Sequence, residues 1–165
     1  MNVEVTHLAG AVVVGLGATL FMDIWALFAK RAFGIPPANY CLVGRWICYM
    51  PDGKFVHESI AAAPLKRAEC AVGWLAHYVV GVLYALTLIA IVSGGWLAQP
   101  TLLPAVVFGV VSVLVPYLIM QPSFGLGIAG SKTPQPAQVR LRSLMAHTVF
   151  GVGLYIGGVA VSHVL

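Results

Sequence analysis

Residues 71–92 read AVGWLAHYVVGVLYALTLIAIV and contain no Asp, Glu, Lys or Arg. An apolar run of about 20 residues is long enough to cross the hydrocarbon core of a bilayer as an α-helix. Three similar runs, with at most one charged side chain each, occupy residues 8–29, 102–120 and 143–164. None of them alternates as barrel strands do, and only helices or closed barrels satisfy the backbone in lipid. The sequence therefore predicts an all-α fold, a bundle of four transmembrane helices.

The composition excludes an ordinary soluble domain. The chain has 165 residues, of which 60% are hydrophobic and only 8% are charged, against about 25% charged residues in soluble proteins. We expect a single integral membrane domain over residues 1–165, with the lipid bilayer as its main partner. Its longer connections are predicted at about residues 30–70 and 121–142.

The basic residues predict the orientation. All nine Lys and Arg side chains lie in or beside these two connections, and basic residues are retained on the cytoplasmic side of a membrane. Both connections are therefore predicted to be cytoplasmic, with the N- and C-termini on the periplasmic side of a bacterial inner membrane. This placement explains the net charge of +4 without a nucleic-acid partner. The residues are Lys30, Arg31, Arg45, Lys54, Lys66, Arg67, Lys132, Arg140 and Arg142.

The first connection carries a predicted short helix and the three cysteines. Asn39 is a favourable N-cap, and the aromatic residues up to Tyr49 suit a helix at the membrane interface. Cys41, Cys48 and Cys70 all fall on the side predicted to be cytoplasmic, where a reducing environment favours free thiols.

The second and fourth predicted helices contain a short stretch of similar sequence. Residues 76–82 read AHYVVGV and residues 146–152 read AHTVFGV. A duplicated helical hairpin would produce this similarity. The histidines of the two segments, His77 and His147, are the informative part of the match, because Ala, Val and Gly often coincide by chance in apolar helices.

These histidines belong to a set of polar residues that we expect near the cytoplasmic side. Ionisable groups inside a membrane span are costly and usually face the bundle interior. The set forms a predicted site where the protein binds or moves a small ligand. Its members are Asp23, Tyr40, Arg45, His77, Gln121 and His147.

A redox protein is the alternative hypothesis. His77 and His147 could ligate a haem b axially, with Gly81 and Gly151 leaving room for the macrocycle. A transition metal is the other cofactor considered, with Asp23 as a third donor.

A structural role is the third hypothesis. The two histidines would then bond across helices to Asp23, Ser112, Gln121 or backbone carbonyls, and the protein would be a subunit of a membrane complex or a homo-oligomer. No catalytic signature is found, so the sequence does not predict an enzyme.

Six motifs are spread along the chain: GATLFMDIWAL at 17–27, NYCLVGRW at 39–46, SIAAAP at 59–64, GWLAHY at 73–78, MQP at 120–122 and LRSLMAH at 141–147. Together they resemble the bacterial membrane family called domain of unknown function 2938. The resemblance covers nearly the whole chain. It implies a four-helix membrane protein and supplies no mechanism. The same motifs contain Asp23, Arg45, His77, Gln121 and His147.

Overall fold

The computed structural model describes residues 3–164, and every regular element in that range is helical. Four helical segments are long and apolar enough to cross a membrane, which confirms the predicted all-α fold with four spans. The segments are His7–Phe33, Glu69–Val92, Leu102–Ser123 and Pro136–Ser162. The main helices are α1 (Val3–Phe33), α2 (Tyr40–Tyr49), α3 (Glu69–Val92), α4 (Leu102–Ser112) and α5 (Pro136–Ser162). Helix α2 lies in the first connection, and α4 forms the first half of the third span.

The short helix α2 begins where the sequence predicts. The Asn39 side chain accepts a hydrogen bond from the backbone N–H of Cys41 at 3.1 Å, which satisfies one of the free donors of the first turn. Helix α2 is followed by a 3-10 turn, Met50–Asp52, that ends at Gly53 with a φ of 73°. A positive φ is easily adopted by glycine, so this residue reverses the chain without strain.

Two helices differ from their predicted bounds or regularity. Helix α5 begins at Pro136 rather than near residue 143, so Arg140 and Arg142 are helical and the second connection is shorter. Proline is favoured at the first helical position, where its missing N–H costs nothing. The third span stops being a regular α-helix after Ser112 and forms a π-helical turn over Pro116–Met120, because Pro116 cannot donate to the preceding turn.

The chain divides into two compact units. The helical unit contains Met1–Pro37, Tyr78–Ser112 and Met145–Leu165, and the connection unit contains Ala38–His77 and Val113–Leu144. In the helical unit, a small buried core of alanine, valine, leucine and aromatic side chains is surrounded by exposed leucine, isoleucine and valine. An apolar exterior of this kind suits lipid rather than water.

Glycines bring the helices of the helical unit into backbone contact. A Cβ atom on Gly15 of α1 would lie 2.5 Å from the Cα atom of Val82 in α3. A Cβ atom on Gly109 of α4 would lie 2.6 Å from the Cα atom of Gly151 in α5. Small residues permit such close approach between membrane helices, where packing rather than solvent exclusion drives association.

Candidate functional site

Arg45 is a buried charged residue of the connection unit with several hydrogen bonds. Its guanidinium group forms a bidentate salt bridge with Glu69. The distance from Nε to Oε2 is 2.8 Å, and that from Nη2 to Oε1 is 2.7 Å. The two side chains are only 7% and 10% exposed. The hydrogen bond to Glu69 is the main cause that raises the pKa of Arg45 above its ordinary value, and burial opposes it. A buried pair with this geometry is retained as charged and fixes α2 against the start of α3.

The same guanidinium group also fastens the connection between α2 and α3. Its Nη1 atom donates to the backbone carbonyls of Ile60, Ala61 and Ala63 at 3.1, 3.2 and 3.0 Å. Because these carbonyls lie in a turn outside any helix or strand, Arg45 supplies a hydrogen-bond donor that regular secondary structure would otherwise provide. Arg45 was predicted as a ligand-binding residue, and in the structure its donors contact Glu69 and the protein's own backbone.

A disulfide joins Cys41 of α2 to Cys70 of α3, with the two Cα atoms 3.9 Å apart. The prediction of free thiols is therefore wrong for these two residues, and only Cys48 is free among the three. The physical reason is the packing of the helices. A Cβ atom on Gly44 would overlap the carbonyl of Glu69, and one on Gly73 would overlap the carbonyl of Tyr40. The sequence does hold a signal, since a glycine follows each of the paired cysteines at the third position.

An aromatic cluster lies beside this helix contact. The His77 ring stacks on the Tyr40 ring with centroids 3.9 Å apart. The Trp74 ring centroid lies 4.8 Å from that of Tyr40 and 5.8 Å from that of His77. Tyr40 and His77 are thus brought together, as members of one predicted site must be.

His57 is a buried residue of the connection between α2 and α3. It is only 4% exposed, and neither ring nitrogen has a hydrogen-bond partner among the described residues. Its ring meets the edge of Tyr49 at 5.0 Å between centroids. Burial lowers the pKa of His57 below 6.5, with help from the positive charge of Lys54, while the nearby Ser123 carbonyl opposes the change. The imidazole is therefore neutral at pH 7.

The backbone around His57 is firmly held. The His57 N–H donates to the Ser123 carbonyl at 2.9 Å, and the Ile60 N–H donates to the Phe124 carbonyl at 3.1 Å. Gly125 has a φ of 85°, and a Cβ there would overlap the carbonyl of Glu58. Two hydrogen bonds and a glycine contact therefore fix the segment that carries the imidazole against the turn that follows the third span.

Gln121, at the end of the third span, is the other buried polar side chain of this unit with an unmatched atom. Its Nε2 atom donates to the Ser143 hydroxyl at 3.4 Å, whereas its Oε1 atom has no partner among the described residues. Buried polar atoms are nearly always paired, and an exception requires a reason.

The remaining two predicted site residues lie in the helical unit. The Tyr78 hydroxyl donates to Asp23 Oδ2 at 3.0 Å. The Ser112 hydroxyl donates to the Gly109 carbonyl at 2.6 Å and lies 2.7 Å from Nδ1 of His147. Since a hydroxyl has one proton, Nδ1 of His147 must be the donor to Ser112. The predicted bond across helices from His147 to Ser112 is confirmed.

The residues proposed to hold haem do not fit that group. A Cβ atom on Gly81 would overlap the Thr19 hydroxyl, and one on Gly151 would lie 2.8 Å from the Ala105 carbonyl oxygen. The space that these glycines leave is therefore filled by α1 and by α4. A metal centre has no better support, because residues 3–164 contain no group of three His, Cys, Asp or Glu side chains placed to hold an ion.

The fold and the lipid-facing surface define a multi-pass helical membrane protein. Residues 12–161 match the family described as protein of unknown function (DUF2938), and the chain belongs to that family. The predicted resemblance is thereby confirmed. No curated protein and no solved structure matches the chain.

Proposed function

We propose that this protein binds a small, uncharged polar molecule in the connection unit, at the buried imidazole of His57. The observation that carries the proposal is a nearly fully buried imidazole whose ring nitrogens form no hydrogen bond of good geometry with the described residues, with only the Ser123 carbonyl near the ring. Leaving a buried polar group unmatched costs about 1–3 kcal/mol. A ligand that supplies one donor and one acceptor would recover this free energy.

The chemistry of the imidazole selects the class of ligand. Its pKa is lowered, so it has one N–H donor and one acceptor nitrogen rather than two donors. A hydroxyl, amide or carbonyl group matches this pattern, whereas a carboxylate or phosphate would favour a protonated ring. The site is preorganised because the backbone on both sides of it is hydrogen-bonded.

We place this site on the cytoplasmic side of a bacterial inner membrane. Support comes from the basic residues, with Lys30 and Arg31 in the last turn of α1 and Arg140 and Arg142 in the first turns of α5. The ligand would then be taken from the cytoplasm or from the headgroup region of the inner leaflet.

Native mass spectrometry tests the binding function. The full chain is extracted from membranes in mild detergent, and the spectrum is searched for a non-lipid small molecule that stays bound. We expect a bound species with the wild-type protein and its loss in His57→Phe, which keeps an apolar ring in the site. The control is His163→Phe, because His163 is exposed beyond the end of α5.

Two outcomes would contradict this proposal. One is a wild-type protein that carries no small molecule and whose thermal stability no polar metabolite raises. The other is equal retention of the molecule by His57→Phe, shown to be folded by circular dichroism.

A second candidate function is proton-coupled movement across the membrane. Its observation is the hydrogen bond between Tyr78 and Asp23, because a carboxyl group inside an apolar span is usually functional. Four helices are few for a carrier, so this function would require a dimer. We expect Asp23→Asn to abolish dye-monitored proton flux into vesicles, while Asp52→Asn in the exposed first connection leaves it unchanged. Equal flux in both variants would exclude this function.

A further inference from the structure

We propose that the Cys41–Cys70 disulfide is a redox-active site that exchanges with dithiols at the membrane surface. The class of substrate is a dithiol or disulfide, on a small molecule or on the chain of another protein. This inference is independent of the ligand site at His57, because it concerns different residues and a different chemistry.

The bond is placed where a substrate thiol can reach it. Cys70 is exposed in the first turn of α3, whereas Cys41 is half-buried in the first turn of α2. Both cysteines therefore lie near helix N-termini, where the helix dipole stabilises a nearby negative charge. A thiolate is the reactive form in exchange, so this placement favours both attack on the bond and departure of a sulfur.

The bond is redundant as a structural link. Helices α2 and α3 are already joined by the buried pair of Arg45 with Glu69. They are also in backbone contact at Gly44 and Gly73. The two thiols of the reduced protein would thus remain adjacent, ready to form the bond again. If the two cysteines stay adjacent after reduction, the disulfide is better suited to reversible oxidation and reduction than to holding the fold together.

The predicted orientation adds a further argument. Stable disulfides are rare in the reducing cytoplasm, and those that occur there are usually catalytic or redox-sensing. The pair lies in the first basic connection and the first turn of α3, so it faces the cytoplasm if the orientation proposed above holds. This step rests on that orientation, whereas the exposure of Cys70 and the redundancy of the bond do not.

The exchange balances as a transfer of two electrons and two protons. A thiolate of the substrate attacks Sγ of Cys70, the bond between Cys70 and Cys41 breaks, and Sγ of Cys41 leaves as a thiolate that takes up a proton. The second thiol of the substrate loses its proton and attacks the substrate sulfur of the mixed disulfide. Cys70 then leaves as a thiolate and is protonated. The protein ends as a dithiol and the substrate as a disulfide.

The first experiment measures the reversibility of the bond in Cys48→Ser, which removes the free third thiol. The folded full chain in detergent is treated with dithiothreitol and then with glutathione disulfide, and its thiols are counted with a maleimide that shifts the protein on a gel. We expect complete reduction and complete reoxidation, with unchanged helical circular dichroism in both states. A bond that is reduced only after denaturation, or a reduced protein that unfolds, would show a structural staple and overturn the proposal.

The second experiment tests whether the Cys70 thiol has the reactivity that the proposal requires. In Cys41→Ser, which keeps Cys48, glutathione disulfide is added and the two modified cysteines are quantified by mass spectrometry. We expect Cys70 to form the mixed disulfide about tenfold faster than Cys48 because of its exposure and helix N-terminus. Equal or slower modification of Cys70 would refute the assignment, and the first experiment tests the site even if this variant does not fold.

Discussion

Arg45 shows how a single side chain can organise a connection that lacks regular structure. Its guanidinium group neutralises Glu69 and donates to three backbone carbonyls of the turn at residues 60–63. An apolar side chain at this position would leave the buried Glu69 carboxylate without its cation, with only the Lys66 backbone N–H as a donor. It would also remove the donor that the carbonyls of Ala61 and Ala63 share. A buried charge without its partner is costly. Removing one partner therefore lowers the free energy of unfolding by more than the pair contributes in net terms.

We therefore predict that Arg45→Met lowers the free energy of unfolding by about 3–5 kcal/mol. The measurement is unfolding by SDS titration in mixed micelles. The matched control is Lys66→Met, whose ion pair with Asp52 is partly exposed, with side chains 30% and 57% accessible. An exposed pair contributes little to stability, because water and salt screen it. Equal losses for the two variants would contradict a central role for Arg45.

His57 gives a prediction about pH. Its pKa in the folded protein is below 6.5, so the unfolded chain binds the proton more tightly. The contribution of His57 to stability is therefore fully present above about pH 6.5 and is lost as the pH falls below it. We expect the melting temperature of the wild-type protein to fall between about pH 7.5 and about pH 5.5, and the fall to be smaller in His57→Phe. A variant with the same pH dependence as the wild type would show that another group titrates.

The sequence predicted only part of the residue-scale picture. It correctly named Ser112 as a partner of His147, because two polar groups inside apolar helices must find each other. It did not predict the burial of His57, since a histidine in a long connection gives no periodic signal. Nor did it predict the disulfide, because a reducing compartment favours free thiols and the sequence alone does not show that α2 and α3 pack against each other.

At the scale of elements, the helices follow from apolar length and from terminal signals. The four spans were recognisable because lipid demands long apolar runs, and Asn39 marked the start of α2. The early start of α5 was missed because its first turns carry Arg140 and Arg142, which resemble a loop by charge alone. Contacts between helices were not predictable in detail, since glycines are frequent throughout the chain.

The contact between α2 and α3 gives the prediction at this scale. Gly73→Ala places a Cβ atom on the Tyr40 carbonyl, so the two helices must separate. We expect a lower melting temperature and incomplete formation of the Cys41–Cys70 bond, measured by thiol counting without reductant. The control is Gly17→Ala in α1, where nothing lies within 4 Å of the added atom. Alanine favours a helix over glycine by up to about 1 kcal/mol, so the control should be neutral or stabilising. An undisturbed disulfide in Gly73→Ala would refute the proposed contact.

At the scale of the whole molecule, orientation connects the charge pattern with the chemistry of the cysteines. The basic residues favour cytoplasmic connections, whereas a disulfide by itself is more usual in an oxidising compartment. Both observations agree only if the Cys41–Cys70 bond forms and breaks as part of function. If the connections were periplasmic instead, an ordinary stabilising disulfide would be expected.

Reporter fusions at the C-terminus decide between these two arrangements. Alkaline phosphatase is active only in the periplasm, and green fluorescent protein exported in unfolded form fluoresces only in the cytoplasm. We predict an active phosphatase fusion and a dark fluorescent fusion, because the fourth span leads outward from the basic connection that contains Lys132. Fusions at Gly53, in the first connection, serve as the control and should give the reverse pattern. A fluorescent C-terminal fusion would invert the topology, place Cys70 in the periplasm and remove the orientation argument for a redox-active bond.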